Sequence, residues 1–231
     1  MTGYGQFCPM SKAMEVLDER WTLLVVRELL LGSCHFNDLR RGLPKMSPAL
    51  LSKRLKSLSR AGVVVRTEVD GRSTYSLTPC GQELGEVVDA LGRWGIRWLG
   101  EVVDADLDPH LLMWDVRRTV PIHEWPVGRT TVEFRLDGVA ATASRWWLVV
   151  ADGHADVCDV DPGHEVTGTV RASLSTLTRI WRGDVGWAAA LRDGSVAVSG
   201  PAEVRGAIPG WIGQGAKAAV PRPTQPIPYA W

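Results

Sequence analysis

Of long apolar runs the sequence has none: no stretch reaches eighteen uninterrupted apolar residues, and the first twenty residues hold no basic stretch followed by an apolar one. A membrane span and a secretory leader are therefore not expected, and the expected location is the cytoplasm. Cysteine is scarce. Cys8, Cys34, Cys80 and Cys158 lie far apart and never form C-x-x-C, which argues against a zinc site or a disulfide framework and for reduced thiols. The motifs of common catalytic folds are also missing: there is no G-x-S-x-G, no P-loop and no dinucleotide fingerprint, so no enzyme and no cofactor are expected. His110, His123, His154 and His164 are scattered. The stretch over residues 152–164 has metal-ligand residue types, but its spacing matches neither a zinc nor a calcium loop, so it reads as a polar surface turn.

What is present is unevenly distributed. The chain has 231 residues, which points to two domains, and its net charge is zero. Residues 35–72 nevertheless carry nine bases against three acids, a net of +6, whereas residues 104–231 carry twelve bases against fifteen acids, a net of −3. A basic module is thus joined to a slightly acidic one. Tryptophan is the other asymmetry, since eight of the eleven lie after residue 104.

The first half reads as short helices, a hairpin and a long helix. Ser11 is placed to cap a first helix carrying Met14, Val16 and Leu17; residues 21–31 and 35–43 form two more. Ser47 followed by Pro48 is a helix start, because the hydroxyl can accept an orphan backbone N–H and proline suits the first turn. From there Leu51, Leu55 and Leu58 make an apolar stripe at i, i+4, i+7, with Ala49, Ser52, Lys53 and Lys56 on the other side. The β-branched run after Gly62, centred on Asp70-Gly71, predicts a two-stranded hairpin. Residues 79–103 are helical again, with more apolar surface at Leu91, Trp94 and Trp98 than a small domain can cover, so pairing with a second copy is expected.

A basic helix with basic elements on either side has the chemistry of a major-groove reader. The expected DNA-binding residues are Arg40, Arg41, Ser47, Ala49, Ser52, Lys53, Arg54, Lys56 and Arg72. Ala49, Ser52 and Lys53 are set toward base edges, and Arg40, Arg41, Arg54, Lys56 and Arg72 toward phosphates.

Cys8-Pro9, residues 17–21, the Phe36-Asn37-Asp38-Leu39-Arg40 run, Ser47-Pro48 with Leu51 and Arg54-Leu55, and Tyr75-Ser76-Leu77-Thr78 before Gly81 together resemble the HxlR family of bacterial regulators. The resemblance covers residues 8–99. It implies a homodimeric winged helix-turn-helix on double-stranded, inverted-repeat operator DNA, with dimer contacts from the first and last helices at Met14, Leu91, Trp94 and Trp98, and the expected function is that of a repressor. Some members use a cysteine at the position of Cys8 to sense oxidants or electrophiles, and a thiol at a helix start can have a lowered pKa. A buried structural thiol is the alternative.

Residues 104–128 read as a linker with a helix. Strands then helices follow, an α+β signature overall. Residues 130–213 are similar to the sterol carrier protein type-two fold, through the strand into Ala172-Ser173, the helix with Leu174, Leu177 and Ile180-Trp181, Gly183-Asp184, and the strand into Gly200-Pro201. That similarity implies a five-stranded sheet and an apolar tunnel for a hydrophobic small-molecule effector. Phe134, Trp146, Trp147, Trp181, Trp187 and Trp211 are the candidate lining. The expected domains are residues 1–103, the linker 104–128, the ligand-binding domain 129–220 and a proline-rich tail 221–231.

Overall fold

The computed structural model describes residues 3–69, 71–99 and 102–223. The chain divides within a long helix into a unit of residues 1–92 and one of residues 93–231.

In the first unit, helices α1 (Pro9–Leu17), α2 (Thr22–Leu30), α3 (Phe36–Gly42) and α4 (Pro48–Arg60) precede strands β1 (Val64–Val69) and β2 (Arg72–Leu77) and the greater part of helix α5 (Pro79–Trp98), whose last six residues belong to the second unit. The strands pair antiparallel from Val64↔Leu77 to Val69↔Arg72, which is the expected hairpin; Asp70, placed at its turn by the sequence, lies outside the described residues. The hairpin gains a third, one-residue edge through the His35↔Thr74 bridge. The core is aliphatic: Val25, Val26, Leu29, Leu39, Leu43, Met46, Leu51, Leu55 and Leu58 form one buried cluster. The apolar stripe read from the sequence therefore faces inward. Helix α1 begins earlier than Ser11, because Pro9 supplies the first-turn residue after Cys8; the Ser11 hydroxyl instead donates to Gln6 Oε1 at 2.8 Å.

The second unit holds α6 (Pro109–Thr119), β3 (Thr130–Asp137), β4 (Arg145–Ala151), β5 (His154–Cys158), β6 (Gly168–Ser173), α7 (Leu174–Arg182), α8 (Trp187–Arg192), β7 (Val196–Ser199) and α9 (Ala202–Ile212). Its sheet is mixed and five-stranded in the order β5-β4-β3-β6-β7, with β3 and β6 parallel and the other pairs antiparallel. The protein is thus α+β with a winged helix-turn-helix at its N-terminal end. Among the described residues no helix is long and apolar enough to cross a membrane.

Strand alternation gives the sheet two chemically different faces. Val132, Phe134, Leu136, Trp146, Leu148, Val150, Val170 and Ala172 join one cluster, into which α6, α7, α8 and α9 all insert apolar side chains. The other face carries Thr131, Glu133, Arg135, Arg145, Trp147, Thr169 and Arg171, as the register Glu133↔Trp147, Glu133↔Thr169, Arg135↔Arg145 and Arg135↔Arg171 requires. One expectation changes here. Residues 104–128 are more than a linker, because Leu112, Met113, Val116 and Trp125 belong to the core of the second unit. Of the tail 221–231, residues 224–231 lie outside the described residues.

Candidate nucleic-acid interface

Helix α4 is capped at its start, buried along its leucine stripe and basic on its outer side. The Ser47 hydroxyl accepts the Leu50 N–H at 3.3 Å and Pro48 opens the first turn, so the helix starts without an orphan donor there. Leu51, Leu55 and Leu58 are buried, and Ala49, Lys53 and Lys56 are exposed on the side away from them, with Ser52 half-buried. Arg40 and Arg41 stand exposed in the last turn of α3, where cations also complement the helix dipole. Asp38 lies 4.0 Å from Arg41. Arg72 is exposed at the first position of β2, and α3 and the hairpin line one cleft to which Arg41 and Arg72 both contribute. The structure therefore brings Arg41 and Arg72 together and leaves the two lysines of α4 on the open side of that helix.

Arg54 departs from the sequence reading. Its side chain is only 8% exposed, forms an ion pair with Glu19, and donates from Nε to the Arg20 carbonyl at 3.0 Å. These contacts pin the turn between α1 and α2, where Trp21 adopts φ 78°, a left-handed conformation that is unfavourable for a bulky residue. Its position beside Leu55 on the helix, three residues after Leu51, points it inward rather than toward a phosphate. Sequence reasoning also missed Glu28. That carboxylate is fully buried, pairs with Arg27 at 2.7 Å, and sits where a Cβ on Gly42 would lie 1.7 Å from it, while Arg27 donates to the Gly42 carbonyl at 3.2 Å. Gly42 is thus required by close approach. A glycine at the end of a short helix followed by Leu43 was the available signal.

Met14 is half-buried in α1, which has no buried residue; Leu91 and Trp94 of α5 are 49% and 52% exposed, and Trp98 is half-buried. Cys8, at the start of α1, is half-exposed, and the backbone N–H groups of Ser11 and Met10 hold its thiol below the ordinary value. Among the described residues no group of His, Cys, Asp and Glu is arranged to hold a metal ion.

In the second unit, Phe134, Trp146, Trp187 and Trp211 meet in the apolar cluster, with Trp181 packed against it. Their polar edges are tied to backbone: Trp146 Nε1 donates to the Ala143 carbonyl at 2.8 Å and Trp187 Nε1 to Gly213 at 2.9 Å, while Trp125 stacks on Trp211 at 5.3 Å. Trp147 does not join them. Being next to Trp146 on a strand, it faces the opposite side, where the Arg145 guanidinium lies 4.8 Å from its ring centre.

Three packed helices, a capped basic helix and a charged hairpin define a winged helix-turn-helix, the class of unit that presents a helix to duplex DNA. The chain belongs to the HxlR-like helix-turn-helix family, whose profile matches residues 16–103, and is a helix-turn-helix transcriptional regulator. It is 38% identical to the uncharacterized HTH-type transcriptional regulator YvaP of Bacillus subtilis over 99 residues, 41% of this chain and 92% of that protein. To the uncharacterized HTH-type transcriptional regulator sll1512 of Synechocystis it is 36% identical, over 41% of this chain and 73% of the relative. Among solved structures, the reduced form of the transcriptional regulator YodB from B. subtilis aligns with TM-score 0.37 and 26% identity over 42% of this chain and all of that one. The redox regulator HypR in its oxidized form aligns with TM-score 0.38 and 26% identity, again over 42% and 100%.

Proposed function

We propose that the protein is a homodimeric repressor that binds an inverted-repeat operator in double-stranded DNA and is released or recruited by a hydrophobic small molecule. The observation that carries the first part is α4, whose leucines are buried while Lys53 and Lys56 face outward. Ala49, Ser52 and Lys53 read base edges, with Ser47 at the start of the reading helix. Arg40, Arg41, Lys56 and Arg72 hold phosphates and so carry affinity but little sequence information. Arg54 holds the reading helix in place. Met14, Leu91, Trp94 and Trp98 make the dimer contact, since apolar faces of this kind are rarely left in water.

The second unit is the sensor. Its five-stranded sheet, the helices on one face and the aromatic cluster of Phe134, Trp146, Trp187 and Trp211 fit the sterol-carrier-like reading, with Trp181 at the margin of the cluster. His110, in the first turn of α6, meets Trp146 edge-on at 5.0 Å, so a guest that moves this indole also moves α6. A ligand can shift DNA affinity only by its differential affinity for the two states. The experiment measures duplex binding with and without a labelled fatty acid and a polycyclic aromatic. A change in DNA affinity upon saturation supports sensing, and equal affinity with both probes bound refutes it.

The lowered thiol of Cys8 at the α1 start favours a second reading, in which oxidants or electrophiles act at this residue and the second unit serves as a scaffold. Replacing Cys8 by serine should then abolish loss of DNA binding on treatment with a quinone. An unchanged response in that variant removes this reading.

A further inference from the structure

Between the start of α3 and the hairpin lies an open cleft of about 560 Å³, lined by His35, Phe36, Asn37, Asp38, Arg41, Arg72 and Ser73. Its size is in the range of ligand sites, ~300–1,000 Å³, but it is open along one side, and ionic side chains stand along its mostly apolar walls. A chain passing through fits such a shape better than an enclosed guest does. Asp38 and Arg41 from α3 and Arg72 from β2 give it a net charge of +1 while His35 is neutral.

His35 is held in this cleft by backbone. It pairs with Thr74 across the bridge, and the Cys34 carbonyl next to it accepts the Tyr75 N–H at 2.8 Å. Its Nδ1 lies 3.4 Å from the Ser73 carbonyl oxygen. A carbonyl only accepts, so the nitrogen facing it carries the hydrogen, and Nε2 of the neutral ring is left as an acceptor. On the neighbouring strand Arg66 and Glu68 are paired with each other at 2.7 Å, and Arg66 also donates to the Ser73 hydroxyl; among the described residues, Asp38, Arg41 and Arg72 are the charged side chains that line the cleft with the imidazole.

We propose that this cleft seats a phosphodiester segment of the DNA backbone and that His35 contacts it only when protonated, so that duplex binding takes up a proton. The inference rests on the DNA-binding reading above. Neutral Nε2 presents a lone pair to a phosphate oxygen. Protonated Nε2 presents a donor and a positive charge beside Arg41 and Arg72.

The test uses the full chain and a labelled, mixed-sequence duplex of about 30 base pairs, because phosphate contacts are independent of sequence. Affinity is measured by fluorescence anisotropy at pH 8, 7 and 6 at fixed salt. One additional phosphate contact predicts binding roughly fivefold tighter at pH 6 than at pH 8. His35→Gln should match the wild type at pH 8 and lose the gain at pH 6; His35→Arg should bind tightly at every pH. The remaining histidines supply a background common to all three proteins. If His35→Gln keeps the wild-type pH response, or His35→Arg binds no tighter than wild type at pH 8, the proposal is overturned while Lys53→Ala still reports on DNA binding. Absence of duplex binding by the folded wild type at every pH would overturn the DNA-binding reading itself, and this inference with it.

Discussion

The N-terminal unit buries aliphatic side chains and displays its positive charge, whereas the C-terminal unit buries indoles and neutralises its charges in place. In the first, the core is Val, Leu and Met, and Arg40, Arg41, Lys53, Lys56 and Arg72 stand in solvent. In the second, Trp125, Trp146, Trp187 and Trp211 fill the core, and the row Arg145, Arg135, Arg171 on the opposite sheet face is held by acids: Glu133 joins Arg145 at 2.6 Å and Arg135 at 2.9 Å, and Asp137 joins Arg171 at 3.1 Å. Like charges on adjacent strands repel, and those carboxylates offset the repulsion. Exposed cations attract a polyanion, whereas cations held by carboxylates within the fold serve stability.

Four substitutions would break or sharpen that contrast. The largest effect is expected for Phe134→Ala, which removes a fully buried aromatic from the second unit and should destabilise that unit by about 4 kcal/mol in denaturant unfolding. Duplex binding should survive this, because none of the proposed DNA contacts lies there. Next is Arg54→Ala, which strips the buried partner from Glu19 and the Arg20 carbonyl and should destabilise the first unit by about 3 kcal/mol. Lysine should not rescue it, since one ammonium cannot reproduce the guanidinium geometry. A loss of DNA affinity with unchanged stability in Arg54→Ala would return this residue to the interface.

Glu133→Gln comes third. Burial pushes the Glu133 carboxyl up, but the hydrogen bonds and charges of Arg135 and Arg145 outweigh it and hold the group below its ordinary value of 4.5. Since both arginines are more than half exposed, with 55% and 54% accessibility, they can turn to water, and the cost should be only about 1–2 kcal/mol at pH 7. A depressed folded pKa means that the contribution is complete above about pH 4.5 and lost as pH falls through the folded value. Thermal melts of wild type and Glu133→Gln should therefore differ at pH 7 and converge in acid. Convergence on raising the pH would reverse the sign and contradict the pairing. Last, Lys53→Ala should leave the unfolding free energy unchanged within about 0.5 kcal/mol, as expected of an exposed position, while weakening DNA binding.

Much of this was legible in the sequence where a local rule acts alone. The Ser47-Pro48 start, the leucine stripe of α4 and the paired strands after Gly62 follow from capping, period and turn chemistry, and each appears where the pattern places it. What the sequence hid depends on distant partners. Arg54 looks like another surface cation until Glu19 and the Arg20 carbonyl, thirty-four or more positions away, close over it. Trp147 looks like its neighbour until strand alternation sends the two to opposite faces, and α6 reads as a connector because the elements it packs against, β5 and α7, are far along the chain. His35 gave no signal at all, since its cleft exists only once the hairpin folds back against α3.

We infer that α4, the end of α3 and the hairpin form the DNA interface. The slope of duplex affinity against salt concentration tests it most directly, compared between wild type and a Lys53→Ala, Lys56→Ala, Arg72→Ala triple variant. Losing three cations that face the duplex should lower the slope by up to about 2.7 in log–log units, with the fold retained by circular dichroism. An unchanged slope in the folded triple variant would place the interface elsewhere on the chain.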